Sequence, residues 1–364
     1  MVDEERQATM EDVARRAGVS VSTVSRALRG LPSVSPHARS RVERAARELS
    51  FAVSRSASSL VTGKTGRVAV LAPGFDNAPW FLGTTLTGLA QVLSEADLDL
   101  LVYIITDMRE RTAFLDRLPA RRNADALLVV SFVLTPEEHE RLDELGMPVV
   151  FVSQHAPDRA SVYIDDAAGA RQGMRHLLNL GHRRIAHIQS VGASDFVWSA
   201  HDRLIGYRQA LEEAGLPYDD ALVVQADYRR RAAVREAVGH LLSLPQMPTA
   251  VFAESDQIAF EVLGILRSCG VDVPGRMSVL GFDDHPLAEA LGLSTVAQSA
   301  WRTGHAAAEL VSSLLTDTAG EPARHIVLPT RLIPRTTTAP PPADHNPDRG
   351  LTAHPISARG TPDG

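Results

Sequence analysis

From Arg67 onward, short apolar segments alternate along the sequence with longer amphipathic segments. Seven of the short segments have the length and composition of buried strands, and helical patterns lie between most of them. This alternation predicts parallel sheets with helices on both faces. So many strands exceed a single mononucleotide-binding-sized unit, and we therefore predict two similar α/β lobes. The strands are predicted at residues 68–72, 98–105, 126–130, 149–152, 185–189, 250–253 and 278–282.

Composition excludes several classes of protein. With 364 residues, the chain is long enough for two or three domains, and 44% of its residues are hydrophobic. One cysteine, Cys269, excludes a disulfide framework and a cysteine-based metal cluster. No apolar run is long enough to span a bilayer, and residues 1–6 begin no signal peptide. We expect a cytoplasmic protein with no membrane association.

Charge is distributed unevenly along the chain. Residues 1–66 carry ten Arg and one Lys against seven acidic residues, whereas residues 67–364 carry 26 Arg against 37 acidic residues. A small basic module therefore precedes a larger acidic body. This asymmetry indicates that the module meets a polyanion such as nucleic acid.

The basic module has the pattern of three short helices. Thr9 can cap the first helix, Gly18 ends it, and Ser20 caps the second. Ser35 and Pro36 begin the third helix in the same way. Apolar residues at helical spacing predict a small shared core: Met10, Val13, Ala14, Ala17, Val24, Ala27, Leu28, Val42, Ala45, Ala46 and Leu49.

The second helix carries small polar and arginine side chains on its outer face. Ser22, Arg26 and Arg29 lie at positions i, i+4 and i+7, flanked by Val21 and Ser25. Small side chains let a helix enter the major groove deeply, and arginine can donate two hydrogen bonds to a guanine edge. An ordinary helical hairpin is the alternative for this pattern.

The segment from Asp12 to Leu28, DVARRAGVSVSTVSRAL, closely resembles the N-terminal motif of the lactose-repressor/galactose-repressor (LacI/GalR) family. The resemblance continues to about Arg335. It implies a helix-turn-helix repressor that binds double-stranded operator DNA as a homodimer, followed by a periplasmic-binding-protein-like domain that binds a small-molecule effector. The positions that it implies for DNA contact in the helical module are Thr9, Ser20, Val21, Ser22, Thr23, Ser25, Arg26 and Arg29.

The family resemblance also implies a hinge at residues 51–66, between the helical module and the body. There Ser54, Ala57 and Leu60 occupy DNA-contacting positions, and Leu60 occupies the place of a leucine that wedges into the minor groove. Ser54 and Ser58 replace the more usual Asn and Arg, which removes two polar contacts. The alternative for Leu60 is a linker residue that packs on the body.

The predicted domain organisation follows from these observations. Residues 1–50 form the helix-turn-helix domain and residues 67–338 form the sensor and dimerisation domain. Within the sensor, we assign residues 67–163 and 297–325 to lobe 1, and residues 164–296 and 326–338 to lobe 2. Residues 339–364, which are rich in proline, aspartate and glycine, are predicted to be a disordered tail.

Several predicted strands end in polar residues, as after Phe252 and Phe282. Ligands of open α/β sheets bind beyond the carboxyl ends of strands, so these ends should line a cleft between the lobes. The family resemblance implies an effector there, most simply a sugar or sugar derivative, with a non-sugar effector left open. The implied effector-binding residues are Trp80, Phe81, Ser131, Ser153, Trp198, Arg203, Ser255 and Asp283. His155 is a further loop residue that could reach the cleft, whereas His182 is interpreted as a turn or packing residue.

Two other functional classes were weighed. An enzyme could use the paired carboxylates Asp165–Asp166 or Asp283–Asp284, but one of each pair is expected to cap a helix. The sequence contains no phosphate-binding loop, zinc-protease motif or nucleophile elbow, so no catalytic residue, metal or cofactor is predicted. A secreted sugar-binding transport protein would share the body's fold, but it would lack the helix-turn-helix.

Overall fold

The computed structural model describes residues 8–28, 32–51, 64–74, 79–190, 198–227, 230, 232–316 and 325–343. The chain divides into two compact units, residues 1–66 and residues 67–364. We refer to them as the helical unit and the body. The predicted hinge positions Ser54, Ala57, Ser58 and Leu60, and also Arg29, lie outside the described residues.

The helical unit contains helices α1 (Met10–Ala17), α2 (Val21–Leu28) and α3 (Pro36–Glu48). The residues predicted to cap and end these helices do so in the structure. Thr9 and Asp12 form a capping box on α1, and Gly18 follows α1 with a left-handed φ of 64°. Ser35 caps α3, with Pro36 at its first position. The three helices enclose a small core: Val13, Ala14, Ala17, Val24, Ala27, Val34, Val42, Ala45 and Ala46.

The body contains two six-stranded sheets with helices packed against them. Its strands are β1 (Arg67–Pro73), β2 (Asp99–Ile105), β3 (Ala126–Val130), β4 (Val149–Val152), β5 (Ser161–Ile164), β6 (Ile185–Ser190), β7 (Val223–Ala226), β8 (Ala250–Ala253), β9 (Ser278–Asp283), β10 (Ser294–Ala297), β11 (His325–Leu328) and β12 (Arg331–Ile333). Its helices are α4 (Pro79–Glu95), α5 (Met108–Arg117), α6 (Ala120–Asn123), α7 (Pro136–Asp143), α8 (Asp166–Asn179), α9 (Trp198–Glu213), α10 (Ala233–Ser243), α11 (Asp256–Ser268), α12 (Pro286–Ala290) and α13 (Ala300–Thr316).

Each sheet belongs to one lobe. The first has the order β11-β5-β4-β3-β1-β2, and all of its neighbouring strands are parallel. The second has the order β12-β10-β9-β8-β6-β7, and only β12, at its edge, is antiparallel to its neighbour. The two parallel-sheet lobes predicted from the alternating pattern are therefore present.

The chain passes between the lobes three times: after β5, between β10 and α13, and between β11 and β12. The last passage corrects the predicted lobe boundary. Residues 326–328 belong to lobe 1, because β11 pairs in parallel with β5 in the first sheet. The change of lobe comes only at residues 329–330, where no change of composition marks it.

The predicted tail also begins too early. The backbone N–H of Ala339 donates to Ser278 Oγ at 3.0 Å, and its carbonyl accepts from His182 Nε2 at 2.9 Å. These bonds dock the segment on lobe 2, so residues 339–343 are part of the body. His182 is buried and also contacts Thr249 Oγ1 at 2.8 Å, which agrees with a packing role. Residues 344–364 lie outside the described part of the chain.

Glycines allow α4 and α13 to pack closely in lobe 1. A Cβ atom on Gly88 would overlap the backbone carbonyl of Trp301, and one on Gly304 would overlap that of Thr85. In lobe 2, Gly206 of α9 meets the backbone of α8 at Ala167 in the same way. These contacts fix the helix layers against the sheets whose strand ends form the cavity described below.

Candidate functional site

The helical unit presents one face of α2 to solvent. Val21, Ser22 and Arg26 are exposed on this face, whereas Val24 and Ala27 are buried on the opposite face. The hydroxyl of Ser20 contacts those of Ser22 and Thr23 at 2.9 and 2.8 Å. The exposed face of α2 therefore carries hydroxyl groups, the isopropyl group of Val21 and the guanidinium group of Arg26.

The orientation of α2 is fixed by the turn that precedes it. Arg41 of α3 donates from Nε to the carbonyl of Ala17 at 2.9 Å and from Nη2 to the carbonyl of Gly18 at 2.8 Å. A Cβ atom at position 18 would lie 2.9 Å from Nη2 of Arg41. Glycine is therefore favoured there for its left-handed φ, while a side chain would also displace the end of the Arg41 side chain.

Other predicted DNA-contacting residues of the helical unit have hydrogen bonds within the protein or are partly buried. Thr9 caps α1, and its hydroxyl donates to Asp12 at 2.7 Å. Ser20 accepts from the backbone N–H of Thr23 at 3.2 Å and so caps α2. Thr23 and Ser25 are half-buried.

A cavity lies between the carboxyl ends of the strands of the two lobes in the body. Of the predicted effector residues, it brings together Trp80, Phe81, Ser131, Ser153, Arg203, Ser255 and Asp283. The side chain of Trp198 lies outside the described residues. His155 is not among the lining residues and instead contacts Tyr163 and His325 at ring-centroid distances of 4.9 and 5.0 Å.

Three lining residues adopt backbone conformations that L-amino acids rarely use. Ser131, Ser153 and Asp283 have φ values of 55°, 60° and 119°. All three lie at the ends of strands, and such strain concentrates at functional sites. In addition, Ser153 Oγ is buried without a hydrogen-bond partner in the part of the chain that the structure describes. An unpaired buried hydroxyl in the wall of a cavity is suited to a polar ligand.

Arg203, on α9, occupies the centre of a buried polar cluster and is only 4% exposed. Its Nε donates to Asp166 Oδ1 at 2.8 Å, and its Nη1 donates to the carbonyl of Glu254 at 2.6 Å. Nη1 also lies 3.6 Å from Asp283 Oδ1, and the guanidinium covers the Phe282 ring at 3.6 Å. Much of the hydrogen-bonding capacity that we predicted for an effector is therefore already used within the protein.

Two of the carboxyl groups around this cluster have strongly shifted pKa values. Burial raises the pKa of Asp166 to about 6, against the opposing effect of the Arg203 charge. Burial, followed by the charge of Asp283, raises the pKa of Asp256 to about 8. Asp256 lies behind the wall, where it accepts from Thr295 Oγ1 at 2.6 Å and from the backbone N–H of His285 at 2.8 Å.

Several lining residues were not predicted from the sequence. Glu254 accepts a hydrogen bond from Ser190 Oγ at 2.7 Å, and Gln298 donates to Asp283 Oδ1 at 2.7 Å. His285, from lobe 2, faces Trp80, from lobe 1, with the two ring centroids 5.0 Å apart. Asp166 was considered as a possible cap or as one of a pair of catalytic carboxylates, but Asp165 caps α8, which leaves the Asp166 carboxylate for Arg203.

Comparison with known proteins identifies both units. A model of bacterial regulatory proteins, lacI family, matches residues 9–54. A model of a periplasmic binding protein-like domain matches residues 174–338. The HTH-type transcriptional regulator CelR of Thermobifida fusca is 34% identical over 92% of this chain and 99% of its own length. The chain belongs to the LacI family.

Other members of the LacI family are also similar to this protein over most of its length. The HTH-type transcriptional repressor CytR of Escherichia coli K12 is 32% identical over 84% of this chain and 89% of its own length. A solved CelR–cellobiose complex matches with 32% identity and a TM-score of 0.66, over 91% of this chain and 99% of that chain. A lac repressor dimer bound to operator and the anti-inducer ONPF has a TM-score of 0.81 at 22% identity, over 92% of this chain and all of that chain, and supports the fold.

The predicted fold class is confirmed: a helix-turn-helix domain precedes a periplasmic-binding-protein-like body with two parallel-sheet lobes. This member of the LacI family is a transcriptional regulator, and its relatives are regulators rather than enzymes. Among the described residues, no helix is long and apolar enough to cross a membrane. In the same residues, no group of three or more His, Cys, Asp and Glu side chains is arranged to hold a metal ion.

Proposed function

We propose that this LacI-family regulator is a homodimeric repressor whose operator affinity is controlled by a small polyhydroxylated effector in the body cavity. The observation that carries the proposal is the composition of that cavity, which combines aromatic rings with strained, polar strand ends. Sugars are bound by such a combination of apolar faces and converging polar groups. The relative CelR, which was solved with cellobiose, supports the same class of ligand.

Within the DNA-binding surface, we assign sequence reading to Val21, Ser22 and Arg26. Arg26 can donate two hydrogen bonds to guanine in the major groove, and Val21 can contact a thymine methyl group. We assign phosphate or base contacts to Thr9, Ser20, Thr23, Ser25 and Arg29. The hinge positions Ser54, Ala57 and Leu60 complete the proposed contact set.

We expect Arg26→Ala to weaken binding to the cognate operator by about 1–3 kcal/mol and to relax the base preference at one position in each half-site. The reason is that one bidentate contact to a base edge is lost, while the buried residues of α2 are untouched. Titrations of wild type and variant against an operator series, each substituted at one base pair, measure both effects.

Arg15→Ala is the matched control for this variant, because Arg15 is exposed on α1 and carries the same charge. Its loss should affect all duplexes about equally. Unchanged affinity and base preference in Arg26→Ala would remove Arg26 from the reading surface.

In the cavity, we propose that Trp80 and Phe81 stack on the ligand, and that Ser131, Ser153, Ser255 and Asp283 hydrogen-bond to its hydroxyl groups. Ser153 Oγ, which has no partner among the described residues, would gain one. Arg203 positions Asp283 and the Glu254 carbonyl, and Trp198 is assigned to the rim. Asp166 and Arg203 are paired with each other within the protein, and we propose a binding site without catalysis.

A single helix-turn-helix contacts a short stretch of DNA, so operators are normally bound by two-fold dimers. We propose that the body forms the dimer. Leu287 and Leu291, at 54% and 46% exposed, provide apolar surface on and beside α12 for such an interface. Ligand-induced movement of the lobes would then alter the spacing of the two helical units on DNA in the cytoplasm.

We expect ligand and operator to change each other's affinity by the same factor, about 5–150-fold for a typical allosteric regulator. Thermal-shift measurements of the full chain with cellobiose, glucose, xylose and ribose identify a binder. Operator titrations with and without that binder, and ligand titrations with and without operator, then give the two factors. A ligand that stabilises the protein but leaves operator affinity unchanged would contradict the proposed function.

A further inference from the structure

The charges that line the body cavity are strongly unequal. Four carboxyl groups line it (Asp166, Glu254, Glu261 and Asp283), but among the described lining residues Arg203 is the single guanidinium or ammonium group. His285 also lines the cavity, and burial lowers its pKa, so it adds no positive charge near neutral pH. The described lining residues therefore offer many hydrogen-bond acceptors and one cation.

The guanidinium of Arg203 is already paired with a carboxylate of the protein. Arg203 is held at 2.8 Å by Asp166 Oδ1 and lies 3.6 Å from Asp283 Oδ1. Burial raises the pKa of Asp166 to about 6, so this carboxyl group is charged at neutral pH and balances the guanidinium. Even if Glu254 and Asp283 were protonated, Arg203 would remain paired with Asp166, and no other guanidinium or ammonium group lines the cavity among the described residues.

Two of the helix N-termini that face the cavity, those of α8 and α11, are already balanced by aspartates. Helices α8 and α11 begin at the cavity, and the N-terminus of a helix normally attracts anions. Each of these ends already carries an aspartate in its first turn, Asp166 on α8 and Asp256 on α11. The backbone N–H of Ala168 is also taken by the cap of Asp165, at 2.7 Å.

We infer that the effector of this regulator is an uncharged or cationic polyhydroxylated molecule, and that phosphorylated or carboxylated forms of the same molecule are rejected. The inference rests on the proposed function and deepens it. A phosphate or carboxylate in this cavity would lose its hydration and meet carboxylates, without gaining a free cation from the described lining residues. Uncharged hydroxyl groups can instead donate to the many acceptors.

Matched ligand pairs test the inference. The full-length protein is titrated by calorimetry near pH 7.5 with glucose, glucosamine, glucose 6-phosphate and gluconate, and with cellobiose and cellobionate. We expect any bound sugar to lose at least about tenfold in affinity when it carries a phosphate or carboxylate. Operator titrations with each compound are run in parallel.

The outcomes separate the two proposals. A phosphorylated or carboxylated compound that binds as tightly as its uncharged parent and shifts operator affinity would overturn the inference, while the proposed function stands. If no compound of either kind changes the melting temperature or operator affinity, the proposed function and the inference both fail.

A charge variant tests the electrostatic reason. Glu261→Gln removes one carboxylate from the cavity without touching the pairs of Arg203, so it should narrow the difference between uncharged and anionic ligands. Glu140→Gln, exposed on α7 and outside the cavity, is the matched control and should leave the difference unchanged. An unchanged difference in Glu261→Gln would overturn the electrostatic explanation.

Discussion

Arg203→Met lowers the free energy of unfolding of the body by about 3–5 kcal/mol, the usual loss when one partner of a buried ion pair is removed. The methionine leaves Asp166 and the Glu254 carbonyl without their donors in a site from which water is largely excluded. Urea unfolding of the full chain, followed by circular dichroism, measures the loss. We also expect the effector response to disappear, because the wall of the cavity is disturbed.

Arg175→Met is a matched control, since Arg175 pairs with Glu213 between the same two helices, α8 and α9. That pair is exposed, with side-chain exposures of 59% and 48%, so the loss should stay below about 1 kcal/mol. Equal losses in the two variants would contradict the assignment of Arg203 to a buried network. The double variant Asp166→Asn/Arg203→Met should regain part of the stability, because the unpaired charge is removed with its partner.

The loss in Arg203→Met should depend on pH. In the wild type, the pKa of Asp166 is about 6 in the folded protein and 3.8 in the reference state, so the stability lost through its ionisation is lost between these two pH values and is constant above about pH 6. Removing Arg203 raises the folded-state pKa further. The added instability therefore develops as the pH rises above about 6, and the loss measured at pH 5 should be smaller than the loss at pH 8.

Gly88→Ala lowers the free energy of unfolding by about 3 kcal/mol, the upper end of the range for overpacking. The new methyl group would overlap the backbone carbonyl of Trp301, and a backbone cannot rotate away as a side chain can. Helices α4 and α13 would have to separate, and both pack on the lobe 1 core. Thermal or urea unfolding of the full chain measures the effect.

Gly83→Ala is the control on the same helix, because a Cβ atom at position 83 meets nothing within 4 Å. Alanine favours helix over glycine, so this variant should gain about 0.5–1 kcal/mol. If both variants were equally stable, the close approach of α4 and α13 would not be a property of the protein in solution.

Strands whose residues are all apolar were predictable from the sequence. The segments 126–130, 149–152 and 250–253 were predicted with the bounds that the structure shows, because each is an apolar run that ends at a polar residue and begins after a polar residue or a proline. Short strands with polar residues, such as Ser161–Ile164 and His325–Leu328, carry no such contrast. The position of β11 in lobe 1 depends on its pairing with β5, a contact between distant parts of the chain that local pattern does not encode.

For the cavity too, the sequence predicted some of the lining residues and not others. The place of Asp283 could be predicted from the pattern, because residues that follow buried strands meet at one edge of a sheet, whereas Trp80 was assigned to the cavity through the family resemblance. Gln298 lies where the chain passes from lobe 2 to lobe 1. The position of such a passage depends on how the two lobes are assembled, so it could not be predicted from the local sequence. Arg203, assigned to the effector through the family resemblance, lines the cavity, but its bonds to Asp166 and the Glu254 carbonyl depend on packing between α8, α9 and β8.

The two faces of α2 have separate tasks. Val24 and Ala27 hold the helix in the small core, and Arg41 fixes the turn before it, while Val21, Ser22 and Arg26 face outward. Exchanging the outward residues would cost little stability. A new set of regulated genes could therefore be acquired through two or three surface codons, while the architecture and the response to the effector are inherited unchanged.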